Sequence, residues 1–161
     1  MRSFQVFANM SAVESEAFFG KVKKAAPTIF TQSVQAASAA LKTRPAFLLK
    51  QPFTKQAAAV RRALSRVAAN PLADETLALY FLEVRKDLLV EWLDAAGVAH
   101  DEGTLTEETP VQPDADALRE AVERFRKAED DADRELLLRA FAAQSVVEWP
   151  LLDELVAQKL G

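Results

Sequence analysis

The chain has no cysteine. That excludes disulfides, thiolate metal sites and cysteine nucleophiles, and it suits a reducing cytosol without requiring one. Glycine is scarce, with four in 161 residues, which speaks against a β-sandwich or a glycine-rich nucleotide fold. Histidine occurs once, at His100, so a zinc site built only of histidines from one chain is excluded. No apolar run reaches the roughly 20 residues that a membrane-spanning helix needs. The longest uncharged stretch, Ala25–Leu41, contains a proline and six Ser, Thr and Gln residues. The N-terminal stretch is interrupted by Gln5 and Asn9 and makes a poor signal sequence.

Acidic residues are nearly missing from the first part of the chain. Residues 1–70 hold 11 Lys/Arg against 2 Asp/Glu, a net +9, whereas residues 71–161 hold 9 against 22, a net −13. The formal charge of −4 conceals this basic half and acidic half. Such asymmetry bears on association and non-specific binding, not on fold.

Half the residues are hydrophobic and 27% are charged, enough for a folded core. Alanine, leucine, arginine and glutamate are abundant, which favours helix. Ser11 and Glu14 form a capping-box pattern before a helix over 12–24. Pro27 suits the first turn of a helix over 27–42. Between Arg44-Pro45 and Gln51-Pro52 there is room for a single turn. A helix over 52–69 is marked by Phe53, Val60, Leu64 and Val67, and Asn70-Pro71 ends it. Asp74 is placed to cap a broadly apolar helix over 74–96, stopped by Gly97. A helix apolar on most sides belongs at the centre of a bundle. Residues 98–113 form one long connection, functional or mobile by its length. Asp114 then caps a helix over 115–129, and Asp130 or Asp131 one over 132–147. A short helix over 150–160 follows Trp149-Pro150. The expectation is a single all-α domain over 1–161, a bundle of six to seven helices in antiparallel hairpins with helix 74–96 central. A weak repeat aligns Ala63, Arg66, Asp74, Leu77, Phe81 and Trp92 with Ala121, Arg124, Asp133, Leu136, Phe141 and Trp149, at offsets that drift from 58 to 60 and back to 57 residues, with chance matching of amphipathic helices as the alternative.

Candidates for chemistry are few. On a helix over 52–69, Lys55, Arg62 and Arg66 fall within about 40° of one another, opposite the apolar stripe. They form the one defined candidate patch, joined in sequence by Lys42, Arg44, Lys50 and Arg61. Three readings apply: an ordinary solvated face, pairing with protein acids, or phosphate binding. No zinc-finger spacing, aromatic RNA-binding motif or helix-turn-helix supports the last, and the overall negative charge opposes it. Asp101-Glu102, Glu107-Glu108 and Glu129-Asp130-Asp131-x-Asp133 lack the order of a calcium loop. His100 lies beside acids, but no nucleophile elbow accompanies it. No catalytic residue, metal site or cofactor is therefore assigned. Trp92 and Trp149 are expected to be packing anchors, and Glu91 and Glu148 to face outward. The function expected is that of a non-enzymatic, cytosolic, bacterial-type protein that binds other protein chains, itself included. The alternative is a nucleic-acid-binding accessory protein using the basic half, and an enzyme built around 98–113 stands third.

Overall fold

The computed structural model describes residues 1–160, with side chains through Lys159. Its described residues are all-α apart from one two-stranded hairpin. Ten α-helices stand where six or seven were expected. They group into two compact units, one of Ser3–Val84 and one running from Arg85 onward, which also takes in Met1 and Arg2.

The Ser3–Val84 unit contains α1 (Ser3–Ala8), α2 (Ala12–Ala25), α3 (Pro27–Ala40), α4 (Pro45–Leu49), α5 (Phe53–Leu64) and α6 (Asn70–Leu79). A π-helical turn, Tyr80–Val84, continues α6. Helices α2, α3 and α5 pack on one another, and α1 lies against α5 and α6. The capping box is present: the Glu14 N–H donates to Ser11 Oγ at 3.1 Å and the Ser11 N–H to Glu14 Oε2 at 2.8 Å. Phe7, Phe18 and Phe19 form an aromatic cluster with centroid distances of 5.1 to 5.8 Å. Tyr80 sits 4.4 Å from Phe18, and Phe81 meets Tyr80 edge-on at 5.0 Å. Each buried ring contributes roughly 1.5–3 kcal/mol relative to exposure.

The second unit contains α7 (Lys86–Ala95), β1 (His100–Asp101), β2 (Thr104–Leu105), α8 (Ala115–Lys127), α9 (Ala132–Ala143) and α10 (Pro150–Leu160). Gly97 ends α7 at φ +69, with Val98 N–H bonded back to Leu93 O at 2.9 Å. This is the left-handed C-terminal cap expected of that glycine. Fully buried Trp92 meets Phe125 at 5.5 Å and Phe141 at 5.9 Å, and Phe141 meets Trp149 at 5.1 Å.

Three local expectations are corrected. The helix expected over 74–96 is interrupted at Arg85, whose backbone leaves the helical region at φ −123, ψ 46. Tyr80 and Phe81 are buried in the first unit, Leu88, Trp92 and Leu93 in the second, so the apolar surface of this segment is divided between two cores. Asp74 does not cap a helix. It lies inside α6 and accepts the Ser3 hydroxyl at 2.6 Å, while α6 begins at Asn70 with Pro71 in its first turn. The helix expected over 52–69 stops at Leu64. Beyond Ser65 the backbone leaves the helical region, with Arg66 extended at φ −89, ψ 143. A 3-10 turn, Val67–Ala69, follows, and Val67 is 60% exposed instead of lying on the inner stripe. The proposed repeat finds no structural counterpart: Trp92 lies within α7, whereas Trp149 precedes α10.

Candidate interaction surface

Lys55 and Arg62 lie two turns apart on α5, and both are exposed. The buried side of that helix is Gln56, Ala57, Val60, Ala63 and Leu64. Arg66 is also exposed, but it lies beyond the end of α5 in extended backbone at φ −89, ψ 143. The helical-wheel placement therefore holds for Lys55 and Arg62 and not for Arg66. Arg66 instead borders a shallow apolar groove of about 450 Å³ formed by α3, the end of α5 and the start of α6. None of Lys55, Arg62 and Arg66 has a side-chain hydrogen bond or ion pair among the described residues, and neither do Lys42, Arg44 and Lys50. Arg61 is different. It is half-buried and donates to Met10 O at 3.3 Å, which removes it from the patch. Phe47 and Leu49, between Arg44 and Lys50, are exposed as well.

Cations of the second unit are arranged otherwise. Arg85 donates to Asp131 at 2.9 Å, Asp133 at 3.0 Å and Asp87 at 3.2 Å. Hydrogen bonding to Asp87 leads the causes that raise the guanidinium above its ordinary value, and the same bond lowers the Asp87 carboxyl. The acidic run 129–133 thus supplies two carboxylates to an arginine. Arg134 is buried, paired at 3.0 Å with both Glu91 oxygens, bonded to Phe125 O at 3.1 Å and stacked 4.9 Å over the Phe125 ring. Glu91 faces outward as expected, but it is the partner of a buried charge. Arg126 pairs with both oxygens of Glu135 at 2.8 Å. Lys127 pairs with Glu123 one helical turn away, which lowers that exposed carboxyl.

His100 starts the hairpin. Its Nδ1 accepts the Gly103 N–H at 3.0 Å, which places the proton of the neutral ring on Nε2, 2.7 Å from Asp94 Oδ1. Glu102 and Gly103 turn the strand with φ of +49 and +92, the two-residue type I′ pattern. That Glu-Gly pair was the signal for the hairpin within 98–113. The rest of this connection is tied down near its end. Trp149 Nε1 donates to Pro110 O at 2.8 Å, and the Leu151 N–H donates to Gln112 Oε1 at 3.0 Å. Among the described residues no group of three or more His, Asp or Glu is placed to hold a metal ion, and no helix is long and apolar enough to cross a membrane. No protein-family model, no curated protein and no solved structure matches the chain.

Proposed function

We propose that the chain is a non-enzymatic interaction protein of the cytosol whose Ser3–Val84 unit binds acidic protein surfaces through Lys55, Arg62 and Arg66. One observation carries this reading: these three cations are exposed and have no hydrogen bond or ion pair among the described residues, in a unit with ten Lys/Arg and five Asp/Glu. Folding makes no use of them, so their charge is available to a partner. Opposite charge steers encounter and sets register, with less effect on raw affinity.

The test is binding of a fluorescent, glutamate-rich helical peptide, with duplex DNA as the competing probe. The peptide is expected to bind at low salt and to be lost in the Lys55→Glu, Arg62→Glu, Arg66→Glu variant. Exposed charges are screened beyond roughly 8–10 Å at physiological salt, so binding weakens as salt rises. Tight DNA binding at physiological salt, with a steep salt slope abolished in that variant, would replace this reading with nucleic-acid binding.

A further inference from the structure

We propose that the groove beside Arg66 receives the Thr106–Val111 segment of a second copy of this chain. The inference rests on the interaction reading above and names the partner.

The groove has walls of one chemical kind. Ala36 and Ala40 of α3, Ala63 of α5, and Pro71 and Leu72 at the start of α6 present apolar surface, and Arg66 is the one charged residue lining it. Arg66 has no partner among the described residues. No Asp or Glu occurs between Glu16 and Asp74, and neither Asp74 nor Glu75 of α6 lines the groove. Its complement is a small apolar side chain next to a carboxylate.

The second unit displays such a segment. Val111 is 80% exposed, the highest value among the large hydrophobic residues described. It is held between two anchored neighbours, Pro110 on the Trp149 indole and Gln112 on the Leu151 N–H. Glu107 and Glu108 precede it, exposed and without partners among the described residues. At the other end the Thr106 N–H bonds Ala99 O at 3.3 Å. A loop fixed at both ends loses little freedom on docking, which lowers the cost of binding. Val111 gains nothing from water exposure and would gain by entering an apolar groove.

Groove and loop are different surfaces, and each copy carries both. Association then grows head to tail, or closes where two copies exchange groove and loop reciprocally. One loop in one shallow groove buries less than the standard interface of about 1,600 Å², which makes the contact weak and concentration-dependent.

Sedimentation velocity of the full chain, over a wide concentration range at low and high salt, tests this. The mass is expected to grow past the monomer at low salt and to fall back at high salt. Arg66→Glu, Val111→Asp and the Glu107→Lys, Glu108→Lys pair should each remain monomeric, with unchanged circular-dichroism spectra and melting. Mixing Arg66→Glu with Val111→Asp leaves one intact groove and one intact loop, and should give dimers and nothing larger. A wild type that is monomeric throughout, or whose association ignores these substitutions, would overturn the proposal. If the wild type is monomeric but still binds the acidic peptide through Arg66, the second-copy inference fails and the interaction reading stands. If the peptide binding fails too, both fail.

Discussion

In the unit of Met1, Arg2 and the chain from Arg85 onward, at least eight of ten cations lie within ion-pair distance of a carboxylate, whereas in Ser3–Val84 the cations Lys42, Arg44, Lys50, Lys55, Arg62 and Arg66 touch none among the described residues. The difference is partly supply. The second unit has 19 Asp/Glu to distribute, and the first has five, of which Glu14 caps α2 and Asp74 holds Ser3. It is also a matter of depth. A buried guanidinium such as that of Arg134 requires partners, because an uncompensated charge in the interior is costly. Exposed cations on α5 require none. Net charge therefore misdescribes both units: the acidic one uses Arg85, Arg126 and Arg134 as ties, and the basic one leaves Lys42, Arg44, Lys50, Lys55, Arg62 and Arg66 to solvent.

The largest expected effects separate the two cores. Phe81→Ala and Trp92→Ala should each cost about 3–5 kcal/mol. Amide exchange should then lose protection mainly within Ser3–Val84 for the first variant and mainly from Arg85 onward for the second. Equal loss in both units from either variant would show that the cores do not act as separate packing units.

A smaller effect tests the contrast in charge. Arg134→Ala removes hydrogen bonds to Glu91 and to Phe125 O. Bonds to charged groups contribute about 1.5–3 kcal/mol, and the half-exposed Glu91 carboxylate brings the expected loss to about 2 kcal/mol. Lys55→Ala, Arg62→Ala and Arg66→Ala should each change stability by about 0.5 kcal/mol or less. Urea unfolding of the four variants makes the comparison. A destabilisation by Arg66→Ala as large as that by Arg134→Ala would mean that the first unit also ties its cations into the fold.

What could be read from the sequence was local. The Ser11–Glu14 box, Pro27 at the start of α3, Gly97 after α7 and Asp114 before α8 act within a few residues, and each sits where its chemistry places it. Helical spacing sets Phe18, Phe19 and Val22 of α2, Phe30, Val34 and Ala37 of α3, and Leu118, Ala121, Val122 and Phe125 of α8 on inner faces, and all are buried, as are both tryptophans, whereas Leu41 on the same spacing as α3 is exposed. The missed features depend on distant partners. Arg134 and Glu91 are 43 residues apart, and Arg85 and Asp133 are 48 apart, so neither pairing shows in periodicity. The segment 74–96 is apolar on most faces, which hid its division between two cores. For the candidate patch, exposure of Lys55 and Arg62 followed from the wheel. Arg66 did not, because the helix ends at Leu64 and extended backbone sets Arg66 beside the groove.

The smallest effect is a pH dependence carried by the Arg85 cluster. Hydrogen bonding to Arg85 holds the Asp87 carboxyl below its ordinary value. A carboxyl whose folded value lies below its unfolded one contributes stability above the unfolded value and loses it as pH falls through the folded value. Arg85 stays charged throughout, since its own value is raised by the same partners, Asp87 first. The wild type should thus exceed Asp87→Asn in stability at neutral pH, and the gap should close once the pH drops below the carboxylate range. The Asp87 side chain is 67% exposed, so solvent and salt screen the pair and the gap should be on the order of 0.5 kcal/mol. Lys55→Ala, which removes an unpaired cation, should show no such closing gap. Urea midpoints for the three proteins across the acid range decide the matter. A gap for Asp87→Asn that persists unchanged at low pH would place its origin in packing, and the Arg85–Asp87 bond would then be a surface contact without the electrostatic weight that distinguishes the second unit from the first.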